Sequence, residues 1–123
     1  MRLIYHITFK KDFLAATGVG EYRADSLESQ GFIHFSQKHQ ILSVANSFYA
    51  GRKDLVILIV DAARLKPVLK FEAPVHPGAA AVGVLPAEDQ LFPHLYGPLN
   101  LDAVVGVVDF PPSDDGQFEL PAM

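Results

Sequence analysis

Gly31-Phe32-Ile33-His34-Phe35-Ser36 (GFIHFS) reads as a short strand that runs straight into a helical pattern. Just beyond it, Ile41, Val44, Ala45 and Phe48 fall at i, i+3, i+4 and i+7. That spacing predicts a helix over 37–50, with Ser36 placed as its N-cap and Gly51 at its exit. Toward the N-terminus, residues 2–8 alternate as a first strand. Thr8 is placed to cap a short helix carrying Phe9, Phe13 and Ala16 on one face, which Gly18 and Gly20 end. The stretch 21–30 is polar and irregular. Toward the C-terminus, 55–60 is continuously apolar, as a central strand covered on both faces would be. Residues 67–71 suggest a further strand, and AVVGVVDF (103–110) a second central one. The order β-α-β-α-β followed by several strands implies an α+β domain with a curved or split sheet and two main helices. The Gly18-Val19-Gly20 pair follows a helix, so it is a chain reversal and not a dinucleotide fingerprint.

The composition fits a single domain over 1–123, with its core at 2–110 and an acidic, Pro-rich surface tail at 111–123. Of 123 residues half are hydrophobic, enough for one core without a disulfide. The absence of cysteine excludes thiol catalysis and thiolate metal sites and fits a reducing compartment. A net charge of −4 and a pI near 5.6 disfavour nucleic acid as a partner. The N-terminus has no leader pattern, and the longest apolar run is too short to span a bilayer. The expectation is a soluble, cytoplasmic protein without a membrane partner. The Pro-, Gly- and Ala-rich stretch 73–89 has the length of a lid or binding loop, with a short strand possible within it at 80–85.

Histidine carries the functional signal. His6, His34 and His94 each occupy a strand-like segment, flanked at i±2 by Ile4 and Thr8, by Phe32 and Ser36, and by Phe92 and Tyr96. If those strands are neighbours, the chain lines a sheet face with imidazoles and aromatic rings. For each histidine alone, a half-buried ring bonded to a neighbour is an equally good reading. Zinc is the rival for the trio, but no HExxH or HxH spacing supports it, so no metal is expected. Ser36 beside His34 suits helix capping better than nucleophilic attack. Tyr96 is the best stacking candidate, and Arg23 and Arg52 are the candidate anion contacts. His39 and His76 carry no assignment.

Three blocks, I-Y-H-I-T at 4–8, Y-R-x-x-S-L-E-x-x-G-F-I-H-x-S at 22–36 and F-P-H-L-Y-G-P-L-N-L-D-A-V-V-G-V at 92–107, carry a family resemblance. Together they resemble a family of small bacterial proteins catalogued as domain of unknown function 952. That family is similar in fold to the ADP-ribosyltransferase group, which implies a split, curved mixed sheet that holds NAD as substrate. The resemblance implies that His6 contacts a ribose, that His34 holds the base, and that His94 and Tyr96 occupy a third-strand position. Arg23 would then serve the pyrophosphate, and Ser36 would line the site. The third strand of that group often carries a glutamate, which FPHLY lacks; Glu88 and Asp89 precede it and Asp102 follows. A carboxylate there would steady an oxocarbenium-like transition state, so protein ADP-ribosylation is disfavoured. A branch that transfers an RNA 2′-phosphate to NAD dispenses with the glutamate, but the acidic pI opposes an RNA substrate. The remaining expectations are an NAD-type nucleotide-binding transferase, a noncatalytic binding or interaction module of the same fold, and, least supported, a His-ligated metal hydrolase.

Overall fold

The longest apolar run forms the centre of the largest sheet. In the computed structural model, which describes residues 1–73 and 87–123, β4 (Leu55–Asp61) lies between β1 (Leu3–Phe9) and β8 (Val104–Asp109). Both of its neighbours are antiparallel to it. A strand paired on both edges and packed on both faces has no solvent side, which is why its sequence does not alternate. β8 was also expected to be central. It is an edge strand of this sheet, and its burial alternates because one face is covered and the other is wet.

A second sheet runs β3 (Ile33–His34), β6 (Phe92–Tyr96), β5 (Val68–Glu72). A third is the short pair β2 (Glu21–Tyr22) with β7 (Leu99–Asn100). Among the described residues every strand pairing is antiparallel, which corrects the mixed sheet expected above. The described residues therefore form an α+β domain of three small sheets.

Pro93 explains where the sheets part. Ile33 and His34 pair with Leu95 and His94, and the Phe35 N–H still donates to the Pro93 carbonyl at 2.9 Å. Proline has no N–H to return that bond, so the ladder stops there. One residue later Ser36 turns to β1 and exchanges two backbone bonds with Tyr5. That single bridge joins the two larger sheets.

Among the described residues the α-helices are α1 (Lys10–Val19), α2 (Asp25–Gln30) and α3 (Ile41–Phe48). Gly20 ends α1 in the left-handed region (φ 98°), its N–H donating to the Ala16 carbonyl. Two capping expectations fail. Thr8 lies inside β1, and its hydroxyl is used elsewhere. Ser36 is held in the Tyr5 bridge, and the turn before α3 begins after Gln37, whose N–H donates to Gln40 Oε1 at 2.8 Å. The polar stretch 21–30, expected to be irregular, contains β2 and α2.

Alternation in β1 splits the core in two. Ile4 packs with Ile33, Phe35, Leu58 and Leu95, while Tyr5 and Ile7 pack with Ile41, Ala45 and Ile57 beneath α3. The tail, expected to lie on the surface, contributes Phe118 to the second cluster. Its N–H donates to Asn46 Oδ1 at 2.9 Å, which pins that end against α3. The proposed lid at 73–89 falls mostly outside the described residues, as do the strand at 80–85 and His76. Residues Glu88–Gln90 of that stretch form a short 3-10 turn. Among the described residues no helix is long and apolar enough to cross a membrane.

Candidate functional site

His6 faces the first core cluster. Its ring meets Tyr22 at 5.2 Å and Phe35 at 5.3 Å, and it is nearly enclosed. Burial lowers its pKa to about 4, against the support of the bond from His34, so the ring is neutral at pH 7. Its Nδ1 lies 2.5 Å from the His34 carbonyl, an acceptor, so Nδ1 carries the hydrogen and donates it. Nε2 is then a bare acceptor. The Tyr22 hydroxyl, 2.9 Å away, donates to it, and the Thr8 hydroxyl donates to Tyr22 at 2.9 Å. Burial pushes the Tyr22 phenol up to about 12, so the proton stays on oxygen. A Thr8–Tyr22–His6 relay thus runs from the strand to the backbone of His34.

This relay borders a cleft of about 610 Å³, which α1 and the segment 21–26 close on the other side. Of the residues singled out in the sequence, His6, Arg23 and His34 line it; Ser36, Arg52, His94 and Tyr96 do not. Arg23 is exposed, and its Nε donates to Glu21 at 2.6 Å. Asp12 and Asp25 also line the cleft, so its rim carries more negative charge than positive. Ser26 ties the segment down by donating to the Phe32 carbonyl at 2.8 Å. Sequence reading gave Thr8 to a cap and assigned Tyr22 no bond to His6. The acidic and aromatic groups Glu21, Tyr22 and Asp25 carry no periodic signal that would assign them to a wall.

His34 and His94 are direct cross-strand partners, with ring centroids 5.4 Å apart. His6 is not on their face. Ile33 and Phe35 point into the core beside it, so His34, between them, turns to the opposite side. His6 therefore reaches His34 through its main chain. His34 Nε2 donates to Gln30 Oε1 at 2.7 Å. Phe32 stacks on His94 at 4.1 Å and also touches His34 and Tyr96. Beneath this group lies Glu72, whose Oε1 accepts from the Tyr96 hydroxyl at 2.5 Å and from His94 Nδ1 at 2.9 Å. The Tyr96 bond first, and the His94 bond with it, hold the Glu72 carboxyl below its usual range. Glu72 was not visible in the sequence as a site residue, because only the β5–β6 register brings it to His94. Among the described residues no group of three His, Asp or Glu side chains converges as metal ligands would.

The chain is similar to protein CC0527 from Caulobacter crescentus, known from a crystal structure. The two are 32% identical, with a TM-score of 0.78 and an alignment covering 97% of this chain and 95% of that one. The crystal structure of a double methionine mutant of CC0527 matches equally well. The solution NMR structure of CC0527 gives 31% identity and a TM-score of 0.74 over 95% of this chain and 91% of that one. No curated protein matches the chain. One family model covers Thr8, Tyr22 and the β3–β6 pair: the chain belongs to the family described as protein of unknown function (DUF952), matched over residues 7–107.

Proposed function

We propose that this protein binds NAD or a related nucleotide in the cleft beside His6 and acts on its ribosyl bond, as an ADP-ribosyltransferase-like domain. One observation carries the reading: His6, from the first block of sequence, and Arg23 and His34, from the second, border the same cleft. Its volume of about 610 Å³ lies within the range of small-ligand and cofactor sites. His6, neutral with Nε2 as acceptor, suits a ribose hydroxyl that takes the place of the Tyr22 hydroxyl. Arg23 is bound to Glu21 in an exposed pair, and such pairs contribute little, so its guanidinium is available to a pyrophosphate. His34, which borders the cleft beside His6, would hold the base. The acidic rim favours a ligand with a cationic ring, such as the nicotinamide of NAD, over one bearing phosphate alone. His94 and Tyr96 would support the site through His34, and Ser36 would do so through its bridge to Tyr5.

The second reading is a noncatalytic binding module of the same fold. What favours it is the state of His6: neutral, enclosed and bonded at both nitrogens, it is unsuited to act as an acid at neutral pH. Thermal-shift titration with NAD, ADP-ribose and nicotinamide, on wild type and His34→Ala together, tests both readings. A ligand that binds only the folded state stabilises it by about 2.7 kcal/mol at a hundredfold excess over Kd. The expected result is a dose-dependent shift in wild type that is lost in the variant. Silence with all three at millimolar concentration would refute nucleotide binding. Chromatographic detection of free nicotinamide after incubation with NAD separates enzyme from module.

A further inference from the structure

Of the acidic and basic side chains that line the cleft, Glu21 and Arg23 hold each other at 2.6 Å. The other two, Asp12 and Asp25, make no side-chain hydrogen bond or ion pair among the described residues. They come from different helices, Asp12 from the first turn of α1 and Asp25 from the first turn of α2. An acid in that position is ordinary, because it meets free N–H groups and the positive end of the helix. Here, however, both acids line one cavity and act on one enclosed oxygen. Burial is the main reason that the Tyr22 phenol stands near 12, and the fields of Asp12 and Asp25 push it the same way. Two unpaired carboxylates are therefore within electrostatic reach of the Tyr22 hydroxyl.

The same cleft is rich in rings. Phe9, Tyr22 and Tyr49 line it, and the Phe9 and Tyr49 rings meet edge to face with centroids 6.3 Å apart. An aromatic face attracts a cation through its quadrupole, most strongly when the cation sheds little water to reach it. Phe9 already draws one: Lys11 Nζ, which does not line the cleft, lies 6.0 Å from its centroid. A metal ion would need more oxygen ligands than this, and among the described residues no group of three His, Asp or Glu side chains converges. Two carboxylates with aromatic rings in one cavity suit instead an organic cation whose charge is permanent and spread over carbon.

We propose that the cleft selects a ligand carrying a permanent organic cation, a pyridinium or quaternary ammonium group, and that Asp12 and Asp25 are the residues that determine this selectivity. This rests on the reading that a small molecule occupies the histidine cleft, and it deepens that reading by fixing the charge of the part beside Tyr22. Arg23 lines the same cleft and meets an anionic part, so a ligand with both charges is preferred over one with either alone. Oxidised NAD has both. NADH, whose nicotinamide ring is neutral, lacks the cation.

NMR titration of the intact chain with matched pairs tests this, read on the ring signals of Phe9, Tyr22 and Tyr49. One pair is the N-methylpyridinium form of nicotinamide against nicotinamide itself; the other is NAD against NADH. The cationic member of each pair is expected to shift those rings and to bind about tenfold more tightly, the scale of one well-desolvated cation–π contact. Added salt should narrow the gap, because it screens the carboxylates. Asp12→Asn and Asp25→Asn should each narrow it and together abolish it, while the Kd of neutral nicotinamide holds. Asp114→Asn removes a charge from the tail instead and should leave the gap intact. If both members of a pair move the cleft signals with equal Kd, the inference falls and the cleft reading stands. A preference that survives the double variant, or that Asp114→Asn reduces as much as the cleft variants do, comes from net charge and also overturns it. If no probe moves any cleft signal, both readings fall together.

Discussion

His6 would titrate near 6.5 in a solvated chain but near 4 in the fold, because burial penalises the imidazolium more than the His34 carbonyl supports it. Between those values the unfolded chain binds a proton that the folded one refuses, so stability falls as pH drops from 6.5 toward 4. Over that window the loss is about 3 kcal/mol. Urea unfolding of wild type and His6→Asn, compared from pH 7.5 to 4.5, should show a slope in wild type that is flatter in the variant. Equal slopes would place the proton uptake on another group. Tyr22→Phe removes the one hydroxyl that both donates to His6 and accepts from Thr8, leaving two enclosed groups unpaired. It should cost about 1–3 kcal/mol in the same assay. Residue identity was the legible part of this relay: His6, Arg23 and His34 stand out by type in the sequence. Who bonds to them was not, since Tyr22 and Glu72 meet their histidines through pairings 16 and 22 residues apart.

At the scale of elements, legibility followed burial. β4 and the second half of the helix at 37–50 announced themselves because a covered strand and an amphipathic helix leave apolar patterns. α2 has no buried residue and β2 is two residues long, so neither imprints a period on 21–30. β8 misled for the opposite reason: its valines look like a central strand, yet Val105 and Val107 are half-exposed along the edge. The turn from β6 to β7 depends on Gly97. A Cβ there would lie 2.7 Å from Pro67 Cβ, inside contact distance of a rigid ring beside β5. Gly97→Ala should therefore destabilise by about 1–3 kcal/mol, as overpacking does. Chemical denaturation measures it, and an unchanged midpoint would mean that the turn yields freely. Because β5 and β6 carry Glu72 and His94, the same variant should disturb the His94 tautomer before it disturbs the His6 relay.

The whole molecule is organised about the two faces of β1 and β4. One face holds Ile4, Leu58 and Val60 against β3 and β6, and His6 and Thr8 open from it to the cleft. The other holds Tyr5, Ile7 and Ile57 against α3 and, through Phe110 and Phe118, against the tail. The Pro-rich, acidic composition of the tail suggested a frayed surface segment; one aromatic residue reverses that. Phe118 is 4% exposed, its ring lies 4.7 Å from that of Phe110, and Gly51 donates its N–H to the Gly116 carbonyl at 3.0 Å. Truncating a buried phenylalanine removes its transfer energy and leaves a cavity, so Phe118→Ala should cost about 3 kcal/mol. Because the lost contacts lie on the face away from the cleft, the variant should bind any cleft ligand with an unchanged Kd while its unfolding midpoint falls. Tyr22→Phe should differ in the first respect, altering ligand affinity as well as stability. If Phe118→Ala weakened a cleft ligand as strongly as Tyr22→Phe did, the two faces would be coupled through the β1–β4 pair, and scaffold and site would not be separate.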